Sequence, residues 1–130
     1  MPTTTTKYFT PAEARRTLPL VKKIVKDILD YGLQIRTIAL SMGDEDPQNN
    51  PEVRKLVSDM NYFMKELEEI GCFYKDWNFS IGLVDFPAFI NGEEVYLCWR
   101  SDEDDILYYH TIEDGYAGRK KIPPGYLADN

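Results

Sequence analysis

The clearest pattern in the chain is a run of apolar residues spaced alternately three and four positions apart between residues 21 and 42. This spacing places the side chains on one face of an α-helix, and Val25 and Leu29 widen that face. We therefore predict a long amphipathic helix that begins at Pro19 and ends near Met42-Gly43, with Gly43 as its C-terminal cap. The heptad residues are Val21, Ile24, Ile28, Tyr31, Ile35, Ile38 and Met42.

A separate short N-terminal helix is predicted ahead of this one. The segment Thr10–Glu13 offers an N-cap, a proline at the first helical position and a glutamate that completes a capping box. Pro19 has no N–H group to donate inside a helix, so we expect the first helix to stop at Thr17 or Leu18.

The three-four spacing returns after a polar loop at residues 43–51. Pro51 begins the third predicted helix, with Asn50 as its N-cap, and Gly71 ends it. Two heptad helices joined by a short loop predict an antiparallel helical hairpin. The heptad residues of the third helix are Val53, Leu56, Met60, Phe63, Leu67 and Ile70.

From residue 72 onward the apolar spacing changes to that of β-strands. Gly82–Ile90 and Glu93–Arg100 flank Asn91-Gly92, a strong signal for a two-residue hairpin turn, and Ile106–His110 is a further predicted strand. A two-residue turn fixes the pairing, so one face of the hairpin is apolar and should lie on the helices. That face holds Val84, Phe86, Ala88, Ile90, Val95, Leu97 and Trp99, with Leu107 and Tyr109 added by the later strand.

These patterns together predict an α+β fold, in which the long antiparallel helical hairpin and the short N-terminal helix pack on a small antiparallel β-sheet. We expect a single domain over residues 1–130. The helical half would cover residues 8–71 and the sheet half residues 72–122. Residues 123–130 would form a C-terminal tail, because Pro123-Pro124-Gly125 ends regular structure.

The opposite face of the sheet gathers polar groups that can do chemistry. The same pairing rule, with a five-residue loop before the later strand, brings a carboxylate, a guanidinium, an imidazole, a thiol and two phenols together. A slip of one residue in that looser loop would move His110 to the other face. The residues placed there are Asp85, Tyr96, Cys98, Arg100, Tyr108 and His110.

His110, Asp85 and Cys98 are the candidate catalytic residues. His110 would act as an acid or base, Asp85 would orient either His110 or Arg100, and Cys98 as a nucleophile would need a base beside it. The structural alternative is an Asp85–Arg100 ion pair, a hydrogen-bonded histidine and an inert buried thiol.

Arg100, Arg119, Tyr96 and Tyr108 are the candidate ligand-binding residues. The two arginines would hold a small anion, and the glycines of the segment 115–118 would present backbone N–H groups beside Arg119. The alternative is a plain turn followed by a surface arginine, with the tyrosines filling a subunit interface.

We expect no cofactor and no metal ion. His110 is the only histidine in the chain, and a metal site would need Asp85 or Glu103 to supply the missing ligands. These three residues are therefore only weak candidates for a metal site.

The charge of the chain limits its partners. Of the net charge of −7, residues 1–42 carry +4 and the remainder carries −11. This overall acidity argues against sustained binding to phosphates, so we expect no nucleic-acid partner. No apolar run approaches the roughly 20 residues of a membrane span, and the first ten residues lack the features of a secretory signal, so we expect no membrane partner. Two cysteines without metal-ligand spacing indicate a reduced, cytoplasmic setting.

Several short motifs form a recognisable combination along nearly the whole chain. They are Phe9-Thr10, Leu18-Pro19-Leu20, Gly82–Pro87, Leu97–Arg100, Glu103, Tyr109-His110, Gly115 and Gly118-Arg119. In this combination the chain resembles the uncharacterised family called domain of unknown function 2203. The family pattern has a glycine where this chain has Asp102 and a tryptophan where it has Tyr109. The resemblance implies domain limits and a signature motif, and it carries no established activity.

Two hypotheses for the function belong to different classes. The first is a homo-oligomeric interaction or structural module, a dimer in which the heptad faces form a four-helix bundle. The second is a small anionic-ligand-binding or catalytic protein that uses the polar sheet face with Asp85, Arg100, His110 and Arg119.

Overall fold

Helices occupy the first half of the chain and an antiparallel sheet occupies most of the second half. The computed structural model describes residues 6–76 and 79–127. Helix α1 spans Pro11–Ser41 and helix α2 spans Pro51–Ile70, with a 3-10 turn at Pro47–Asn49 between them. The predicted α+β class with an antiparallel sheet is confirmed. The strands lie in the order of the chain and are β1 (Phe73–Tyr74), β2 (Leu83–Ile90), β3 (Glu93–Arg100), β4 (Tyr108–Thr111) and β5 (Lys120–Lys121).

Helix α1 is one continuous helix of 31 residues that contains Pro19. The prediction of a separate short N-terminal helix was wrong. Its start was predicted correctly, because Thr10 and Glu13 form the capping box. Pro19 is exposed, whereas Leu18 and Val21 are buried. Pro19 therefore lies on the solvent-facing side of α1, and the helix continues through it.

Helix α2 has the boundaries that its sequence predicted. The Asn50 side chain accepts from the N–H groups of Glu52 and Val53, and Gly71 ends the helix with a φ of 113°. The two helices contact each other through an edge-to-face pair of Tyr31 and Phe63, whose ring centroids are 5.2 Å apart. Among the described residues, no helix combines the length and apolar character needed to cross a membrane.

The β2–β3 pairing is confirmed at every predicted position. Asn91 and Gly92 have φ values of 53° and 79°, which suit a two-residue hairpin turn. The turn aligns Asp85 with Cys98 and Phe86 with Leu97. The predicted register of the next strand is also confirmed, since Tyr96 pairs with His110 and Cys98 with Tyr108.

The entry into β4 differs from the prediction. The strand begins at Tyr108, two residues later than the predicted start at Ile106. Ile106 is completely buried and Leu107 is 41% exposed, so the assignment of Leu107 to the helix-facing side was wrong. The strand alternation does not reach these two residues because they belong to the loop that leads into the strand.

The core lies between α1 and the inner face of β2 and β3. Val84, Phe86, Leu97 and Trp99 are fully buried there, as predicted. The sheet approaches α1 so closely at Gly82 that a Cβ atom at this position would collide with Val25.

The C-terminal residues contain a short helix, α3, at Pro124–Leu127. The prediction of a tail without regular structure from residue 123 was therefore wrong for these four residues. Tyr126 and Leu127 pack against the core, and the Tyr126 hydroxyl accepts a 2.8 Å hydrogen bond from the Asn91 N–H. Residues 1–5 and 128–130 of the predicted domain lie outside the described residues.

Replacing Pro19 with alanine is expected to increase the free energy of unfolding by about 1 kcal/mol. Alanine is about 3 kcal/mol more favourable than proline inside a helix, and part of that gain is lost because the unfolded chain becomes less restricted. Urea unfolding followed by circular dichroism measures the change. Pro51→Ala, at the first position of α2, is the control and should change stability by less than about 0.5 kcal/mol. Equal stability of Pro19→Ala and the wild type would contradict a continuous α1.

Candidate functional site

His110 and Asp85 form a buried pair on the sheet face that points away from the helices. The His110 Nε2 atom lies 3.1 Å from Asp85 Oδ1 and 3.2 Å from Oδ2. Asp85 comes from β2 and His110 from β4, and each is only 5% exposed. The structure therefore brings together the two candidate residues that the sequence could place on one face but could not show to be in contact.

The hydrogen bond of the second ring nitrogen of His110, Nδ1, shows which of the two nitrogens carries a proton. Nδ1 lies 2.9 Å from the backbone carbonyl oxygen of Thr111. A carbonyl oxygen can only accept, so Nδ1 carries a proton and Nε2 is the nitrogen directed at Asp85. The hydrogen bond with the Asp85 carboxylate raises the pKa of His110 above its ordinary value, while burial acts in the opposite direction. The arrangement favours a protonated imidazole beside a carboxylate.

Cys98 joins this pair from the intervening strand β3. One potential donor atom from each of Asp85, Cys98 and His110 lies within 4.8 Å of the others, and all three residues are buried. We refer to these three residues as the central cluster. Burial raises the pKa of the Cys98 thiol to about 12. A thiol with this pKa is protonated at neutral pH and is a poor nucleophile.

Arg119 follows the 3-10 turn Tyr116–Gly118 after β4 and lies beside Cys98. Its Nη2 donates to Glu103 Oε1 at 2.6 Å and to the Cys98 carbonyl at 3.1 Å. Its guanidinium lies 4.3 Å from the ring centroid of Tyr108 and 5.2 Å from that of Tyr116. The Nε atom is buried and has no hydrogen-bond partner within residues 6–76 and 79–127. Arg119 thus already has a carboxylate partner and is held between two tyrosines.

Arg100 does not pair with Asp85, so the predicted Asp85–Arg100 ion pair was wrong. The Arg100 Nε donates to Asp102 at 2.6 Å and its Nη1 donates to the Tyr116 hydroxyl at 2.7 Å. Asp102 lies two residues away in the loop after β3, and its side chain remains 54% exposed while it binds the guanidinium. The buried Asp85 carboxylate is directed at His110 instead.

Glu103 organises the loop between β3 and β4. Its carboxylate accepts from the Arg100 N–H at 2.8 Å as well as from Arg119, and its carbonyl accepts from Trp99 Nε1 at 2.9 Å. With these partners the Glu103 carboxylate is not part of the central cluster. Of the three metal candidates named from the sequence, the structure brings together His110 and Asp85.

The central cluster has one neighbour that the sequence placed on the same face, Tyr96, and one that it did not indicate, Lys75. The Tyr96 ring lies 5.7 Å from the His110 ring, and the Lys75 ammonium lies 5.8 Å from the centroid of Tyr96. The positive charge of Lys75 opposes protonation of His110. Lys75 follows the two-residue strand β1, which is too short to show an alternating pattern. Tyr116 lies in the glycine-containing segment that the sequence did single out, and its phenol was not considered there.

The fold and the central cluster define an α+β protein with a buried carboxylate–thiol–imidazole group on its antiparallel sheet. The chain belongs to the family described as "Uncharacterized conserved protein (DUF2203)", whose model matches residues 7–122. The resemblance drawn from the motifs is thereby confirmed. Neither the curated proteins nor the solved structures include a significant match to this chain.

In metal-free protein, the pKa of His110 is expected to lie above its reference value of about 6.5. The histidine–carboxylate pair should then stabilise the fold fully below about pH 6.5 and lose that effect as the pH rises through the folded pKa. His110 is the only histidine, so one NMR titration of its ring signal gives the value without ambiguity. Asp85→Asn should lower this pKa.

Asp102→Asn is the matched control for this titration, because the Asp102 carboxylate bonds Arg100. It should leave the His110 pKa within the error of the wild-type value. A native pKa at or below about 6.5, or one that Asp85→Asn does not change, would contradict the role assigned to the pair.

Proposed function

We propose that this protein is a homodimeric interaction module, in which α1 and α2 form an antiparallel hairpin that pairs with the hairpin of a second copy. The observation that carries this proposal is the change in burial along the heptad face of α1. Val21, Ile24 and Ile28 are buried, and the four heptad residues after them are only half-buried. The sheet thus covers the beginning of the apolar face and leaves its second half partly open. The half-buried residues are Tyr31, Ile35, Ile38 and Met42.

An apolar groove between the two helices supports the same proposal. It lies beyond the part of α1 that the sheet covers, and Val57 on its rim is 42% exposed. A second pair of heptad helices would fill this groove in the manner of a four-helix bundle. The apolar side chains that line it include Ile35, Val57, Met60, Met64 and Phe79.

A reducing compartment, and hence a cytoplasmic location, is part of this proposal. Cys72 and Cys98 are both buried free thiols. Burial raises the pKa of Cys72 to about 12, as it does for Cys98, which keeps both thiols protonated. These features support a protein that does not depend on disulfides.

Sedimentation equilibrium tests the dimer. The wild-type protein is expected to sediment with twice the mass of one chain. Val57→Asp should shift it to the monomer, because a dimer would bury an unpaired carboxylate in the groove. Leu33→Asp is the control, because Leu33 is 56% exposed and does not line the groove. This variant should remain a dimer. A wild-type monomer at all concentrations would overturn the proposal.

The polar sheet face supports a second candidate function, the binding or conversion of a small anionic ligand. The contact of 3.1 Å between His110 and Asp85 favours it, because a buried histidine–carboxylate pair can exchange protons. Arg100 and Arg119 lie next to this face, although each has an acidic partner. Titration with inorganic phosphate, followed by the NMR signal of His110, should give a saturable shift. A signal that stays constant throughout the titration would reject this candidate.

A further inference from the structure

The central cluster has the donor atoms of a metal centre. Asp85 offers a carboxylate oxygen, Cys98 a sulfur and His110 a ring nitrogen, from three adjacent strands. We propose that this cluster binds a divalent transition-metal ion, with zinc as the ion that best fits this mixture of oxygen, sulfur and nitrogen donors. The expectation of no metal, drawn from the sequence, is replaced by this proposal.

The spacing of the donor atoms suits a tetrahedral ion. Zinc bond lengths place neighbouring ligand atoms about 3.3–3.6 Å apart in a tetrahedral site. The distance between His110 Nε2 and Asp85 Oδ1 is 3.1 Å, and no pair of the three donor atoms is more than 4.8 Å apart. An ion therefore requires only a small adjustment of these side chains.

The hydrogen bond at the far side of the His110 ring prepares the imidazole as a ligand. Metal-binding histidines usually donate their other N–H to a carboxylate or a backbone carbonyl, which leaves a lone pair on the nitrogen that meets the ion. His110 Nδ1 makes this bond to the Thr111 carbonyl at 2.9 Å. When the imidazole is neutral, its lone pair is on Nε2 and is directed at Asp85 and the centre of the cluster.

The charges of the cluster also fit a dication. Asp85 and His110 are 5% exposed and Cys98 is 1% exposed. Buried charges are strongly unfavourable unless they are paired. A carboxylate, a thiolate and a neutral imidazole around a dication form a centre without net charge, and the ion displaces two protons to solvent, one from the thiol and one from Nε2 of the imidazolium.

The protein supplies three ligands, which leaves a fourth position for water or another small molecule. Glu103 was a metal candidate from the sequence, but its carboxylate is bound by Arg119 and by the Arg100 N–H. Three protein ligands with an open position are typical of catalytic zinc sites, whereas structural sites have four. This inference goes beyond the proposed dimer, because the cluster lies on the sheet and not in the helical groove.

Titration with Co²⁺ tests the site directly. The full chain is treated with a chelator, dialysed and titrated with Co²⁺, which absorbs in the near ultraviolet when a thiolate binds it. We expect saturation at one ion per chain, displacement of the Co²⁺ spectrum by Zn²⁺, and a higher melting temperature with Zn²⁺. Cys98→Ser should abolish the thiolate band. His110→Gln should weaken Co²⁺ binding by more than about 10–100-fold, because that is the loss expected when only a hydrogen-bond partner of a metal ligand is removed, and His110 is itself a ligand.

Cys72→Ser is the matched control. Cys72 is the other buried cysteine, and its thiol donates to the Leu67 carbonyl at 3.5 Å, outside the cluster. This variant should retain the Co²⁺ band. Absence of a saturable band in the wild type, or a band that persists in Cys98→Ser, would overturn the proposal. If Cys98→Ser does not fold, the His110 NMR signal of the wild type decides, since a signal unchanged by Zn²⁺ rejects the site.

Discussion

The two-residue turn between β2 and β3 divides the sheet into a core face and a polar face. Asn91 and Gly92 adopt the positive φ values of a two-residue turn, and this turn leaves no freedom in the alignment of the two strands. A shift by one residue would put Asp85 against the helices and expose Phe86. The turn therefore decides at once which side chains form the core and which form the opposite face. The position of β4 beside β3 extends the same division to His110.

The face opposite the helices combines polar chemistry with burial. Asp85 and His110 are removed from water, so each must have a partner. They meet this requirement through each other and, for His110, through the Thr111 carbonyl. Arg119, held between Tyr108 and Tyr116, covers the neighbouring Cys98 backbone.

Much of the fold could be predicted from the sequence because its signals are local. The capping box at Thr10, the Asn50 cap, the Gly71 end and the Asn91-Gly92 turn each involve residues close together in the chain. The predictions failed where a local signal depended on its surroundings. Pro19 was expected to end a helix, but it lies on the exposed side of α1 and the helix continues past it. Leu107 reads as part of a strand, but it belongs to the loop before β4.

The helix N-caps, the β2–β3 register and the two faces of that hairpin could be predicted from the residues alone, because turns and side-chain alternation follow from backbone geometry. The position of His110 on the polar face depended on a loop in which a slip of one residue would have reversed it. How the polar residues pair follows from their contacts in the folded protein. Arg100 donates hydrogen bonds to Asp102 and Tyr116, and Arg119 donates to Glu103. The Asp85 carboxylate is hydrogen-bonded to His110. The pairing depends on the distances between side chains in the fold and on how far each charged group is desolvated. The spacing of residues along the chain predicts neither of these.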